Sequence, residues 1–119
     1  MMKQKTAITL PADVKYVLPL RLFMAGIGVR LDFSVETIED IKMAVSEACA
    51  VLLSGLIEGS LTCEVLEEEG LAFILEAKGS YHNEIDDGIS RIILESIADE
   101  CTFICEKDRC TKIKVLFRQ

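Results

Sequence analysis

Five cysteines, one histidine and one Gly-x-Gly are the residues whose types and spacing could do chemistry unaided. Cys63, Cys101, Cys105 and Cys110 would suffice for a four-thiolate zinc site. Such sites, however, pair their ligands at short spacings such as Cys-x2-Cys, on turns. Here Cys101 and Cys105 fall within one strand-like run and Cys110 lies just past a turn, so free thiols packed as small hydrophobes are expected, and no metal site. His82 stands in a loop sequence beside Asn83 and Glu84, and no serine or cysteine nucleophile with a matching acid can be argued around it, which sets a catalytic triad aside. Gly26-Ile27-Gly28 has the spacing of a phosphate loop but follows no strand and lies inside a helical stripe. A dinucleotide motif is rejected on that ground and close helix packing is expected instead.

The elements that must position these residues follow from hydrophobic period. Lys5 to Leu10 has strand composition, and Pro11 suits the first turn of a following helix. Val14, Val17, Leu18, Leu22, Ala25 and Val29 carry that helix to Arg30, with Pro19 expected to kink it or delay its start. Ser34 is a candidate N-cap with Glu36 in the first turn, and Ile38, Ile41, Val45, Ala48, Leu52 and Leu56 recur at the 3.6 period toward Gly59. Leu61 to Leu66 and Leu71 to Ala77 read as a hairpin around Glu67-Glu68-Glu69-Gly70, and Gly79 to Asn83 as loop. A third amphipathic helix runs from Ile85 to near Glu100. Cys101 to Glu106 and Lys112 to Phe117 then flank Lys107-Asp108-Arg109 as a second hairpin. The order β-α-α-β-β-α-β-β predicts an α+β fold: a two-layer sandwich with a mixed, mostly antiparallel sheet and helices on one face.

At 119 residues the expectation is one domain, residues 1–119, with one core. Half the residues are apolar and 28% are charged, too apolar for a disordered chain. No uncharged stretch approaches the ~18 residues of a membrane span, and the N-terminus lacks the apolar region of a signal peptide, so a cytoplasmic location and no membrane contact are expected. Thirteen basic against twenty acidic residues give a net charge of -7. Without a basic cluster to neutralise phosphates, nucleic-acid binding is not expected. An odd number of cysteines fits free thiols in a reducing compartment.

The segment Ile38 to Cys49, IEDIKMAVSEAC, resembles the first ATP-site helix of bacterial anti-sigma-factor serine kinases, members of the GHKL (histidine-kinase-like ATPase) superfamily. The resemblance extends upstream through Leu10-Pro11-Ala12 and RLFMAGIGVRLDF, and downstream through GISRIILESIADECTF, covering nearly the whole chain. It implies the GHKL sandwich fold.

Against that family's pattern the nucleotide positions are substituted. The family helix carries glutamate and asparagine four residues apart, on one face; the glutamate activates a nucleophile and the asparagine coordinates Mg²⁺. Here Glu47 remains, as candidate general base, while the asparagine position is Val51, which has no oxygen for a hard cation. The family's Asp-x-Gly-x-Gly reads Ala77-Lys78-Gly79-Ser80-Tyr81, so the adenine-anchoring aspartate is alanine. The phosphate-end Gly-x-Gly is Gly88-Ile89-Ser90, and the Gly79–Gly88 interval is short for a full ATP lid. Arg21 aligns with a helix-one arginine that contacts partner proteins in some members. The resemblance thus implies a degenerate regulator that binds a sigma factor or an anti-anti-sigma antagonist, with no cofactor expected and a homodimer formed through the sheet and first helix. The alternative is an active serine kinase binding Mg-ATP and using Glu47 on an antagonist serine.

Overall fold

The computed structural model describes residues 5–67, 69–82, 88–107 and 109–119. Along the chain run β1 (Lys5–Pro11), a 3-10 turn (Val14–Tyr16), α1 (Val17–Arg30), α2 (Val35–Leu53), β2 (Leu56–Leu66), β3 (Gly70–Tyr81), α3 (Ile89–Ile97), β4 (Glu100–Glu106) and β5 (Arg109–Arg118). The five strands form one sheet in the order β1-β2-β3-β5-β4, and among the described residues every pairing is antiparallel, so the α+β fold carries an antiparallel rather than a mixed sheet.

One core explains the two layers. Leu61, Cys63 and Val65 on β2, Phe73, Leu75 and Ala77 on β3, and Ile113, Val115 and Phe117 on β5 are buried at alternate positions. They join Leu20 and Met24 of α1, Ile41, Val45, Ala48 and Leu52 of α2, and Leu94 of α3 in a single cluster. Polar Thr62, Glu64, Glu76 and Lys114 take the intervening strand positions, the alternation of a sheet with one covered face. Phe73 on the central strand is fully buried, and truncating such a ring typically costs ~3–5 kcal/mol. Among the described residues no helix is long and apolar enough to cross a membrane.

Local chemistry sets the element ends, and several differ from the sequence expectation. Pro11 closes β1 rather than opening a helix: β1 is an edge strand, where the missing N–H is tolerated. Pro19 delays α1 instead of kinking it, because it is the third residue of the helix, where an N–H has no partner in any case. Ser34 caps α2 as expected, its Oγ accepting from the Thr37 N–H at 3.2 Å. That helix ends at Leu53, well before Gly59, because Gly55 takes the left-handed φ of 73° and the chain turns directly into β2. Gly79, Ser80 and Tyr81 belong to β3 rather than to a loop. Gly28, as expected, lets α1 approach α2, since a Cβ there would press on Ile38 and Ile41. Gly26 faces open space and does no such packing. The expected assignments of Glu68, Asn83, Glu84, Ile85 and Asp108 lie outside the described residues.

Candidate functional site

α2 places Glu47 and Val51 one turn apart, as the i, i+4 spacing requires. Glu47 is half-buried, and among the described residues no hydrogen bond or ion pair holds its carboxylate. Val51 is 7% exposed and lies in the main core. Ala77 of β3 is 2% exposed in the same core, opposite Leu61 of β2. The structure therefore brings Val51 and Ala77 into one hydrocarbon environment, with Glu47 at its rim.

Gly79 has a reason to be glycine that involves no ligand. It pairs with Gly59 across β2 and β3, and a Cβ on Gly79 would collide with the Glu58 carbonyl oxygen. A Cβ on Gly59 would collide in turn with the Lys78 carbonyl oxygen. The two strands meet too closely for any side chain at either position.

Beyond Gly79, the Tyr81 hydroxyl reaches back along its own strand and donates to the Ala77 carbonyl oxygen at 3.2 Å. Positions 77, 79 and 81 share a face by the two-residue period of a strand, and Gly79 between them leaves room for the ring. The Arg109 guanidinium stacks on that ring, its Cζ 3.4 Å from the centroid. Arg109 Nη2 also donates to the carbonyl oxygen of Ser54, the C-cap of α2. The last carbonyls of a helix lack internal partners and carry its negative end, so a cation there is doubly favoured. Arg109 Nε is buried, with no hydrogen-bond partner among the described residues. Beside this contact the His82 backbone N–H donates to the Gly55 carbonyl at 2.7 Å. The ends of α2, β3 and β5 are thus fastened by a Tyr81–Arg109 clasp. Sequence reasoning missed Arg109 entirely, because its partners are remote along the chain; the tyrosine at a glycine position was the one local signal.

The remaining site residues lie on other elements. Gly88 is the N-cap of α3 with φ 78°, and a Cβ there would meet nothing within 4 Å. Arg21 on α1 is half-buried, and its Nε has no hydrogen-bond partner among the described residues. It sits beside Leu18 and Leu22, which are 58% and 59% exposed, and Val29 continues that stripe at 62%. Between the start of α1 and the end of α2 lies an apolar groove of about 440 Å³, lined by Val14, Val17, Cys49, Ala50 and Leu53 with Ser46 and Ser54. That groove, too, was not anticipated from sequence, although Val14 and Val17 of its lining belong to the apolar stripe read there.

Of the thiols, Cys49, Cys63 and Cys110 are buried and Cys101 half-buried, as packing predicted, but Cys105 is exposed. Burial pushes the Cys49 and Cys63 thiols up to about 12. Among the described residues no group of three or more histidine, cysteine or acidic side chains could hold a metal ion.

No protein-family model matches the chain. Over 46 residues it is 46% identical to proteins named serine-protein kinase RsbW from Bacillus thuringiensis (strain Al Hakam), Bacillus cereus (strain B4264) and Bacillus anthracis (strain A0248). The matched stretch is 39% of this chain and 29% of each relative, so the similarity spans less than a third of those kinases.

Proposed function

We propose that this chain is a single regulatory domain of the anti-sigma-factor type and GHKL fold, acting by binding a protein rather than by phosphoryl transfer. The observation that carries the reading is the buried hydrocarbon of Val51 and Ala77 at the positions where the family's metal and adenine ligands stand. Mg²⁺ demands near-octahedral oxygen ligation. A valine and an alanine offer none, and the Tyr81 hydroxyl already occupies the Ala77 carbonyl. The residues present do not fit Mg-ATP.

What supports protein binding is α1. Only Arg21 and Arg30 interrupt an otherwise apolar helix, and Leu18, Leu22 and Val29 line its outward side. A helix apolar on all sides ordinarily buries all of them. The partner implied by the resemblance is a sigma factor or an anti-anti-sigma antagonist, with Arg21 at the contact. The net charge of -7 would steer a basic surface toward the domain and weaken with salt. A homodimer through the same helix belongs to this reading.

The second reading is a serine kinase with Glu47 as base. It is favoured by the partnerless Glu47 carboxylate and by the identity with serine-protein kinases. A thermal melt with and without millimolar Mg-ATP separates the two. A ligand at 100 times its Kd stabilises by ~2.7 kcal/mol, or roughly 10 °C for a chain of this size. The regulatory reading expects a shift within about one degree and capture of a sigma factor or antagonist by the immobilised domain; a shift near the full value would install the kinase.

A further inference from the structure

Cys105 and Cys110 stand directly opposite each other where β4 turns into β5. The Glu106–Arg109 pair closes a two-residue turn, and Lys107 has the left-handed φ of 51° that a tight hairpin needs at its first central position. In such a hairpin the closing pair is hydrogen-bonded and the next pair is not. Residues of a non-hydrogen-bonded pair have Cα atoms about 4.5 Å apart, inside the 4.4–6.8 Å range over which disulfides form. The ladder shifts register between Ile104 and Cys105, a bulge of the kind that re-aims side chains.

The two thiols differ in access, which divides the labour. Cys105 is exposed, whereas Cys110 is 5% exposed. Cys49 and Cys63 are each 1% exposed and out of reach of a solute. Burial and then the neighbouring Cys105 push the Cys110 thiol up to about 11. Arg91 of α3 donates to the Cys105 sulfur at 3.7 Å and stacks over Phe103 at 4.9 Å, so the pair also touches a helix.

We infer that Cys105 and Cys110 are a thiol-modification site, a dithiol that closes to an intrachain disulfide by exchange with a low-molecular-weight disulfide. Cys105 gives up its proton to solvent, and its thiolate attacks one sulfur of the small disulfide. That S–S bond breaks, the first small thiolate leaves and takes a proton, and Cys105 holds a mixed disulfide. Cys110 then loses its proton and attacks the Cys105 sulfur, expelling the second small thiol. Two protein thiols are oxidised and one small disulfide is reduced to two thiols, so electrons balance. Closure converts the sulfur that Arg91 donates to from thiol to disulfide and loosens one of that arginine's ties to β4. This inference is independent of the partner proposed above.

The test incubates the full chain with oxidised glutathione, alkylates the remaining thiols and digests with trypsin. Trypsin cuts after Lys107 and Arg109, so closure leaves the peptide Ile92–Lys107 joined to Cys110–Lys112. The first peptide also contains Cys101, so Cys105→Ser and Cys101→Ala are run beside the parent, with thermal melts confirming that both fold. The expected result is a joined peptide in the parent and in Cys101→Ala, absent from Cys105→Ser, with faster hydrogen exchange in α3 after closure. A Cys105 that stops at the glutathione mixed disulfide, a link that follows Cys101, or a disulfide between two chains overturns the inference.

Discussion

The Tyr81–Arg109 clasp makes a quantitative prediction. Arg109→Ala removes a cation stacked 3.4 Å from the Tyr81 ring centroid, worth ~0.5–2 kcal/mol. It also removes a charged hydrogen bond to the carbonyl of Ser54, worth ~1.5–3 kcal/mol. Deleting the partnerless buried Nε returns roughly 1 kcal/mol of that. The net loss is therefore about 1–4 kcal/mol. At ~2.1 cal/mol/K of unfolding entropy per residue, that corresponds to a Tm lower by roughly 4–16 °C. Tyr81→Phe keeps the stacked ring and loses only the bond to the Ala77 carbonyl, about 1 kcal/mol or ~4 °C. Tyr81→Leu removes the ring, and combining it with Arg109→Ala closes a double-mutant cycle with an expected coupling of ~0.5–2 kcal/mol. Urea unfolding followed by far-UV circular dichroism supplies the free energies. An Arg109→Ala protein melting within ~2 °C of the parent, or a coupling indistinguishable from zero, would refute the clasp as a source of stability.

Gly79→Ala should destabilise by ~2–4 kcal/mol in the same urea assay, because its Cβ meets the Glu58 carbonyl and β2 must move away. Stability should also fall as pH rises from 9.0 toward 12: the unfolded chain ionises Cys49 and Cys63 in that window while the native chain keeps them protonated, so the unfolded state binds fewer protons. Each thiol contributes a slope of about -1.4 kcal/mol per pH unit, fully spared below pH 9, and a Cys49→Ala, Cys63→Ala protein should show a correspondingly flatter alkaline limb. Leu22→Glu should abolish capture of the protein partner while moving Tm by no more than about 2 °C, since that side chain is 59% exposed on α1, and Arg21→Glu, at the half-buried neighbouring position, should abolish it too; full-affinity capture by either variant removes that helix from the interface. Val51→Asn with Ala77→Asp should gain nucleotide affinity only when Tyr81→Gly is added, as read by the Mg-ATP melt, and a gain without the third change would show that the tyrosine ring obstructs nothing.

How much of this was legible depended on how local the cause was. α2 could be read almost in full, because Ser34 supplies its own cap and Ile41, Val45, Ala48 and Leu52 repeat at the period of one buried face. Its C-terminal end was misplaced by six residues, since Leu56 continues the apolar period while the backbone already turns at Gly55. The end of β3 was missed because Gly79 and Ser80 are poor strand formers; what holds them extended is the Gly59–Gly79 approach, a property of two strands together. Pro11 misled for the same reason, as only the sheet order reveals that its strand lies at an edge. Val51 and Ala77 were picked out by their departure from the family's pattern, but nothing in the sequence linked Tyr81 to Arg109.

These two kinds of information bear differently on function. Seven of the nineteen residues of α2 are buried and so constrained by packing, and any one of them enlarged or truncated disturbs the core. Its chemistry would rest on two positions alone, Glu47 and Val51. Such a helix can keep its sequence character while exchanging a metal ligand for hydrocarbon, because valine at position 51 adds to the core it already faces. On the proposed reading, the clasp completes the same trade at the other end of the site. A nucleotide bound between α2 and β3 would tie these elements together only when present, whereas Arg109 and Tyr81 fasten α2, β3 and β5 in the chain itself. The fold has then replaced a ligand-dependent link with a non-covalent one made by its own side chains. On the same reading, the apolar face of α1, which the core does not use, is left as the surface through which the domain would act.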